Sequence, residues 1–229
     1  MSTISKNTFI FLQDLEEYGT KEWFENNRER YEASKTEMTL FADDLIEQMN
    51  QVDLISTPSG KKSIYRIFRD VRFSKNKNPY KNHWSGGLAR ATASRRGGFY
   101  FHIEPGNSYV EGGFFSPNSD DLLLMRKQIE LDATPLRDVL NNKSFKHYFG
   151  ELRGSQLKTA PKGFDKEHEN IDLLRYKTFT VNHPFSDEEV LQPDFSKQVA
   201  SAFTKMLPFF DVMTDYLTTD LNGESLLTQ

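Results

Sequence analysis

Apolar residues recur every three or four positions through the first part of the chain, which is the spacing of an amphipathic helix. The run from Phe11 to Leu15 predicts a first helix over residues 8–18, and Gly19 is typical of a helix end. A longer apolar stripe predicts a second helix over residues 27–52. The amino-terminal region should therefore form a helical layer.

Strict alternation replaces this spacing in the middle of the chain and predicts β-strands. Between residues 98 and 104, three apolar side chains alternate with three polar ones, so one strand face is apolar and the other carries Tyr100, His102 and Glu104. Glycine-containing turns separate this strand from two further predicted strands. The three predicted strands cover residues 83–93, 98–104 and 108–115.

The second half of the chain returns largely to helical spacing. Ser116 followed by Pro117 is typical of a helix start, and Ser186 with Glu189 predicts a capping box. Pro208 should kink the last long helix. Helices are predicted over residues 117–130, 134–142, 167–176 and 195–217, and short strands over residues 157–160 and 178–182.

Helices, a block of strands and more helices are typical of an α+β fold. We predict a central antiparallel sheet, a meander, packed with long amino-terminal and carboxy-terminal helices. No repeat and no linker rich in Pro, Gly or Ser divides the sequence, so we expect a single domain over residues 1–229.

The chain contains no Cys. This excludes disulfide scaffolds, thiol nucleophiles, iron–sulfur clusters and zinc sites built on cysteine. No stretch approaches about 18 consecutive apolar residues, and the amino terminus lacks the basic start and apolar run of a secretion signal. We therefore expect a cytoplasmic protein with no membrane partner.

The net charge of −4 conceals an uneven distribution along the sequence. Residues 1–60 hold 5 basic and 12 acidic residues, and residues 104–229 hold 13 basic and 20 acidic residues. Residues 61–103, the basic segment, hold 11 basic residues against Asp70 alone. A concentrated basic stretch in an otherwise acidic chain indicates a negatively charged partner.

Three arginines recur at every third position of the basic segment, at Arg66, Arg69 and Arg72. On a helix or a 3₁₀ turn, this period would place the three guanidinium groups along one side. On a strand, Arg66 and Arg72 would share a face with Asp70, while Arg69 would point the other way. Both geometries fit the sequence. The apolar residues between the arginines indicate that the segment lies against the core, with the arginines only partly exposed.

Two interpretations of these arginines remain open. They could pair with Asp and Glu of the acidic flanks, such as those of the long first-half helix, in an internal network. Alternatively, they form a pocket for a phosphate, carboxylate or sulfate group, which guanidinium binds through two parallel hydrogen bonds. Asp70 would then orient an arginine or act as a base. The expected ligand-binding residues are Arg66, Arg69, Arg72, Lys77 and Tyr80.

The same stretch resembles the signature of a bacterial family of conserved hypothetical proteins, the domain of unknown function 2461. The family pattern is Arg-x-x-Arg-Asp-x-Arg-Phe, then Asp or Asn with Lys, then Tyr. The matching residues are Arg66, Arg69, Asp70, Arg72, Phe73, Asn76, Lys77 and Tyr80. Residues 21–28, 161–165 and 171–174 extend the resemblance over most of the chain. Asn76 stands where Asp is commoner, which argues against a catalytic carboxylate there. The resemblance implies no activity.

The five histidines are scattered, with no two at the spacing of metal ligands on a helix or strand, so we expect no metal site. No phosphate-binding glycine loop or dinucleotide-binding pattern is present, and we expect no cofactor. His102 joins Asp70 as a catalytic candidate for proton transfer. Its strand face, shared with Tyr100 and Glu104, either lines a cleft beneath the arginines or is a polar outer surface.

These observations favour a small anionic ligand bound at the arginines, by an enzyme or by a binding protein, since nothing in the sequence identifies a reaction. A second hypothesis is nucleic-acid binding by the basic segment, whose aromatic residues would stack on bases. The acidic remainder of the chain argues against a long polyanion. A third hypothesis is a protein-interaction module for an acidic partner. The sequence indicates no oligomeric state.

Overall fold

The amino-terminal region is helical, as its apolar spacing predicts. The computed structural model describes residues 3–73 and 77–227. The side chains of Ser5 and Thr20 cap the first two helices by accepting hydrogen bonds from the backbone N–H groups of Thr8 and Trp23. The helices before the first strand are α1 Lys6–Tyr18, α2 Lys21–Asn26, α3 Arg28–Met49 and α4 Gly60–Ser63.

Four strands form one antiparallel meander with the order β1-β2-β3-β4. They are β1 Trp84–Ala89, β2 Gly98–Ile103, β3 Ser108–Phe114 and β4 Phe179–Phe185. The first three confirm the predicted strands, and β4 extends the one predicted at residues 178–182. The strand predicted at residues 157–160 is absent from the described chain, where only isolated bridges form just before it, at Arg153 and Gln156.

Helices again dominate after β3, which confirms the α+β fold. α5 begins two residues later than predicted because Asn118, rather than Ser116, accepts the capping hydrogen bonds. The capping box of Ser186 and Glu189 is confirmed, and Pro208 lies inside the last helix. The helix predicted over residues 167–176 is reduced to one turn, α8. These helices are α5 Ser119–Leu131, α6 Thr134–Asn141, α7 Lys143–Phe149, α8 Ile171–Leu174, α9 Asp187–Val190 and α10 Phe195–Thr218.

Contacts divide the chain into two compact units, each assembled from three segments. Unit 1 comprises residues 1–88, 100–110 and 184–202. Unit 2 comprises residues 89–99, 111–183 and 203–229. The expectation of one domain over the whole chain stays a prediction. Each unit has its own aromatic core.

The core of unit 1 is built on the apolar face of α3. The ring of Phe41 packs edge-on against Phe101 of β2 at 5.3 Å and stacks on Phe195 at 5.5 Å. Trp84, the first residue of β1, stacks on Tyr31 and donates its indole N–H to Ser34 Oγ at 2.7 Å. This buried hydrogen bond fixes the start of β1 against α3.

Gly86 is required where β1 passes over the Phe101 ring. A Cβ atom at this position would lie 2.4 Å from Phe101 Cζ and 2.8 Å from the carbonyl oxygen of Ser63. Both distances are too short for any side chain without a local shift. The absence of a side chain therefore lets β1, β2 and the end of α4 approach closely.

The core of unit 2 is formed by phenylalanines of the strands and of α10. Phe99 packs on Phe203 and Phe210, with ring centroids 4.6 and 4.9 Å apart. The side chain of Arg90 is only 3% exposed, and its guanidinium lies 5.2 Å from the Phe210 ring and 3.9 Å from Asp211. Arg90 is therefore buried in the core of unit 2 and has a structural role.

Within residues 3–73 and 77–227, no helix is both long and apolar enough to span a bilayer.

The hydrogen bond from Trp84 to Ser34 should contribute measurably to stability. Ser34→Ala removes the acceptor and leaves a buried indole N–H without a partner, so the free energy of unfolding should fall by about 1–3 kcal/mol. Urea denaturation followed by circular dichroism measures this change. Ser59→Ala is the matched control, because Ser59 precedes α4 without making a capping hydrogen bond. Equal stabilities of the two variants would contradict the prediction.

Candidate functional site

The stretch that carries the arginines is extended. Ile64 forms an antiparallel bridge with Gly86, and Phe68 forms one with Tyr80. Backbone hydrogen bonds from Arg69 to Pro79 and from Lys81 to Ile67, both of 2.8 Å, continue this pairing. Of the two geometries that the sequence allows, the structure adopts the strand-like one.

Arg72 pairs with its neighbour Asp70 at the surface. Arg72 Nη2 lies 2.6 Å from Asp70 Oδ2, and the two side chains are 77% and 48% exposed. The hydrogen bonds from Arg72 lower the pKa of Asp70 below its ordinary value. Of the two roles expected for Asp70, this pair supports the orientation of an arginine, because a lowered pKa makes the carboxylate a weaker base.

Arg66 and Arg69 differ from Arg72 in forming no salt bridge with a carboxylate of the described residues. Across residues 3–73 and 77–227, neither guanidinium makes a salt bridge or a hydrogen bond. Arg66 is exposed and Arg69 is half-buried, although Ile67 between them lies in the core. The expectation that all three arginines are partly buried is therefore met by Arg69 alone. In the described chain, no hydrogen bond joins the three to one another or to α3.

Lys77 and Tyr80 occupy different surroundings. Lys77 is exposed and donates from Nζ to the carbonyl oxygen of Val71 at 3.1 Å. Tyr80 is 5% exposed and stacks on Phe24, with ring centroids 4.3 Å apart, and burial raises its pKa. The fold therefore uses Tyr80 as a core aromatic. Asn76, the signature residue just before Lys77, lies outside the described residues.

The polar face of β2 forms a chain of hydrogen bonds. His102 Nδ1 lies 3.1 Å from the hydroxyl of Tyr100, and His102 Nε2 lies 2.8 Å from Glu104 Oε2. The His102 side chain is only 9% exposed, and its ring stacks on that of Tyr109 at 4.7 Å. The alternation along β2 thus brings together the three polar residues that the sequence placed on one face.

His83 joins this face from the residue that precedes β1. Its ring centroid lies 4.1 Å from that of His102, and its Nδ1 lies 3.2 Å from Asn82 Oδ1. The side-chain amides of Asn82 and Asn107 both donate to Glu104. We call His83, Tyr100, His102 and Glu104 the polar cluster. All of them belong to unit 1.

The environment of the polar cluster keeps His83 neutral. Burial, and after it the neighbouring His102, lowers the pKa of His83 to about 4 against the opposing effect of Glu104. The positive charges of Lys81 and Arg69 act more weakly in the lowering direction. Burial alone would raise the pKa of Glu104, but hydrogen bonds from His102, Asn107 and Asn82 outweigh it and leave this pKa below its ordinary value. At neutral pH the cluster therefore contains a neutral imidazole beside an ionised carboxylate.

Two kinds of chemistry are open to this arrangement. The hydrogen-bond chain from Glu104 through His102 to Tyr100 can hold or move a proton. The same groups can also bind a cation, because one donor atom each of His83, His102 and Glu104 lie within 4.8 Å of one another. The scattered spacing of the histidines in the sequence concealed this group of donors. The only signal for His83 was its position at the start of a predicted strand.

Other arginines of the basic segment are engaged within unit 2. Arg90 donates to the carbonyl oxygen of Arg96 at 2.9 Å, and Arg96 forms a short ion pair with Asp121. Both arginines thus contribute to internal contacts of unit 2. The interpretation of an internal network concerned Arg66, Arg69 and Arg72 and is not tested by these contacts. Among the described residues, the basic segment thus contributes two arginines to internal contacts of unit 2, Arg90 and Arg96, and two arginines without a salt bridge to unit 1, Arg66 and Arg69.

A family model described as "Conserved hypothetical protein (DUF2461)" matches residues 7–212 of the chain. No curated protein and no solved structure matches the chain. The family match spans both the arginine signature and the polar cluster, and its description states no activity.

The lowered pKa of His83 should make stability depend on pH. Between the ordinary pKa of 6.5 and about 4, the unfolded chain binds a proton at His83 that the folded chain does not. The free energy of unfolding should therefore fall as the pH is lowered from 6.5 to 4, and His83→Gln should reduce this dependence. Urea denaturation at several pH values, with a chelator present, measures it. His147→Gln on the exposed face of α7 is the control, and an unchanged pH dependence in His83→Gln would contradict the assignment.

Proposed function

We propose that the chain, which belongs to the DUF2461 family of conserved hypothetical proteins, binds a small anionic ligand at Arg66 and Arg69 beside the polar cluster. The ligand bears a phosphate or carboxylate group. The observation that carries this proposal is the position of Arg69. Its charge acts on the half-buried His83, and its guanidinium has no acidic partner in the described chain.

The charges around this position favour an anion. Burial lowers the pKa of Lys81, and the positive charge of Arg66 lowers it further, as expected for two neighbouring cations that repel each other. The carboxylates that act on this neighbourhood are already engaged, because Asp70 is bound by Arg72 and Glu104 by its own hydrogen bonds. An anion would relieve the repulsion, and the guanidinium fork of Arg69 would orient it.

His102 is the better placed of the two candidates for proton transfer. It is buried and bonded on both sides, to Tyr100 and to Glu104, which fixes the orientation of its ring. Asp70 is exposed and paired with Arg72, so it supports an arginine instead. If the protein is an enzyme, the proton would pass between the bound anion and His102. The cytoplasmic location belongs to this proposal, since the phosphorylated and carboxylated metabolites of a cell are met there.

A second candidate function is binding of single-stranded nucleic acid. The observation that favours it is a set of exposed aromatic side chains beside the arginines. Phe73 is 95% exposed next to Arg72, whose guanidinium lies 5.9 Å from its ring. Tyr65 and Phe68 are 49% and 43% exposed. Exposed rings interleaved with cations are typical of surfaces that stack on bases and contact phosphates.

The anion proposal is tested by thermal shift and calorimetry with inorganic phosphate, pyrophosphate, AMP and citrate, in a buffer that contains a chelator. At least one of these probes should stabilise the wild-type chain, and Arg69→Ala should weaken its binding about tenfold to a hundredfold, as expected for a lost charge-assisted hydrogen bond. Arg95→Ala is the matched control, because Arg95 is an exposed arginine of the basic segment that belongs to unit 2.

Equal binding by wild type and Arg69→Ala would overturn the assignment to this arginine. Fluorescence anisotropy with a labelled single-stranded oligonucleotide separates the second candidate from the first. Nucleic-acid binding should weaken steeply with salt, and it should respond to Phe73→Ala and to Arg72→Ala, which change an exposed ring and the cation beside it. Undetectable binding of the oligonucleotide at low salt would exclude the second candidate.

A further inference from the structure

We propose that His83, His102 and Glu104 form a binding site for a divalent transition-metal ion. One donor atom from each residue lies within 4.8 Å of the other two. Zinc bonds of about 2.0–2.1 Å place neighbouring ligand atoms about 3.4 Å apart, so each donor needs to move by less than about 1 Å. The site lies in unit 1, where His102 is buried and the other two residues are half-buried.

The geometry of the strands produces this convergence. His102 and Glu104 are separated by one residue, and the side chains of alternate residues in an extended chain point to the same side. His83 comes from the residue before β1, which pairs with β2 in the meander. The buried anchor of Trp84 on Ser34 fixes the neighbouring residue, so the position of His83 does not depend on a mobile loop.

Each candidate ligand is held from behind by a second polar group. His83 Nδ1 faces Asn82 Oδ1, and Tyr100 lies 3.1 Å from His102 Nδ1. Glu104 accepts hydrogen bonds from the amides of Asn82 and Asn107. Partners of this kind orient the ligands of established metal sites and fix which nitrogen of a histidine faces the ion.

The donor set selects the class of metal. Two imidazole nitrogens and one carboxylate oxygen suit zinc, iron(II), cobalt(II) and related ions better than magnesium or calcium, which prefer oxygen ligands. Three protein ligands would leave at least one coordination position open, as in catalytic rather than structural zinc sites. The chain contains no Cys that would draw zinc elsewhere.

The open position links the metal to the anion of the proposed function. Arg69 and Lys81 act on His83 from nearby, so a single carboxylate faces a divalent ion in positive surroundings. An anion that contacts both the metal and Arg69 would neutralise this charge. This coupling rests on the proposed function, whereas the metal site does not. A metal would also occupy the His102 nitrogen that faces Glu104, so metal binding and proton transfer at that nitrogen exclude each other.

The metal site is tested with Zn²⁺ and Co²⁺ alone, in the absence of any anion probe. Equilibrium dialysis of the full chain should give one bound ion per chain, and the Co²⁺ form should show a visible spectrum typical of nitrogen and oxygen ligands. His83→Ala and Glu104→Gln should each weaken binding at least tenfold. His147→Ala, an exposed histidine on α7, is the control and should bind as wild type does.

A gain-of-signal variant protects the test against variants that fail to fold. His83→Cys would introduce the chain's one thiol, and its Co²⁺ form should acquire a thiolate-to-metal charge-transfer band that the wild type lacks. One bound ion together with this band would support the site. Two results would overturn it. One is binding of one ion per chain that survives Glu104→Gln, together with no charge-transfer band in His83→Cys. The other is undetectable binding of metal to the wild type.

The experiments distinguish failure of the metal site from failure of the anion site. Loss of metal binding with intact phosphate binding in chelator would leave the anion site and the proton-transfer role of His102 in place. Metal binding without any anion effect would leave the metal site alone. If both proposals hold, inorganic phosphate should tighten Zn²⁺ binding, and Zn²⁺ should tighten phosphate binding by the same factor.

Discussion

The alternation of side chains along β2 is the constraint on which the rest of unit 1 depends. Phe101 turns inward to meet Phe41 of α3, and this leaves Tyr100, His102 and Glu104 together on the opposite face. A shift of one residue in register would bury the polar row and expose the phenylalanines. The hydrophobic contact with α3 therefore also determines which groups are available for chemistry. Stability and function are decided by the same pairing of strands.

The polar cluster persists in partly buried surroundings because nearly every polar group in it has a partner. Glu104 is held by three neighbouring side chains, and His102 is bonded through both ring nitrogens. His83 avoids the penalty of burying a charge because its imidazole stays neutral. The nearby cations Arg69 and Lys81 contribute to this effect, and the proposed anion site depends on the same positive charges. Burial and the protonation state of His83 are thus linked, and the proposed anion site would draw on the same set of charges.

Local patterns in the sequence predicted the features that depend on neighbouring residues. The polar face of β2, the helices at both ends and the capping box at Ser186 follow from periodicity and from short-range hydrogen bonds. The pairing of Arg72 with Asp70 is also local. The extended form of the arginine stretch was one of two open geometries, because only the bridges to Tyr80 and Gly86 decide it. Contacts between distant residues, such as His83 with His102 and Tyr80 with Phe24, could not be predicted because strand pairing and tertiary packing create them.

The fluorescence of the buried Trp84 indole can be used to follow changes at the polar cluster. The chain has only two tryptophans, and Trp84 is 1% exposed and adjacent in sequence to His83. Its ring is fixed by the hydrogen bond to Ser34, so its emission reflects its surroundings rather than its own motion. In a chain that retains this indole alone, events at His83 become visible as fluorescence without any attached label. The same anchor that supports β1 therefore makes the chemistry on the other face of the strand observable in solution.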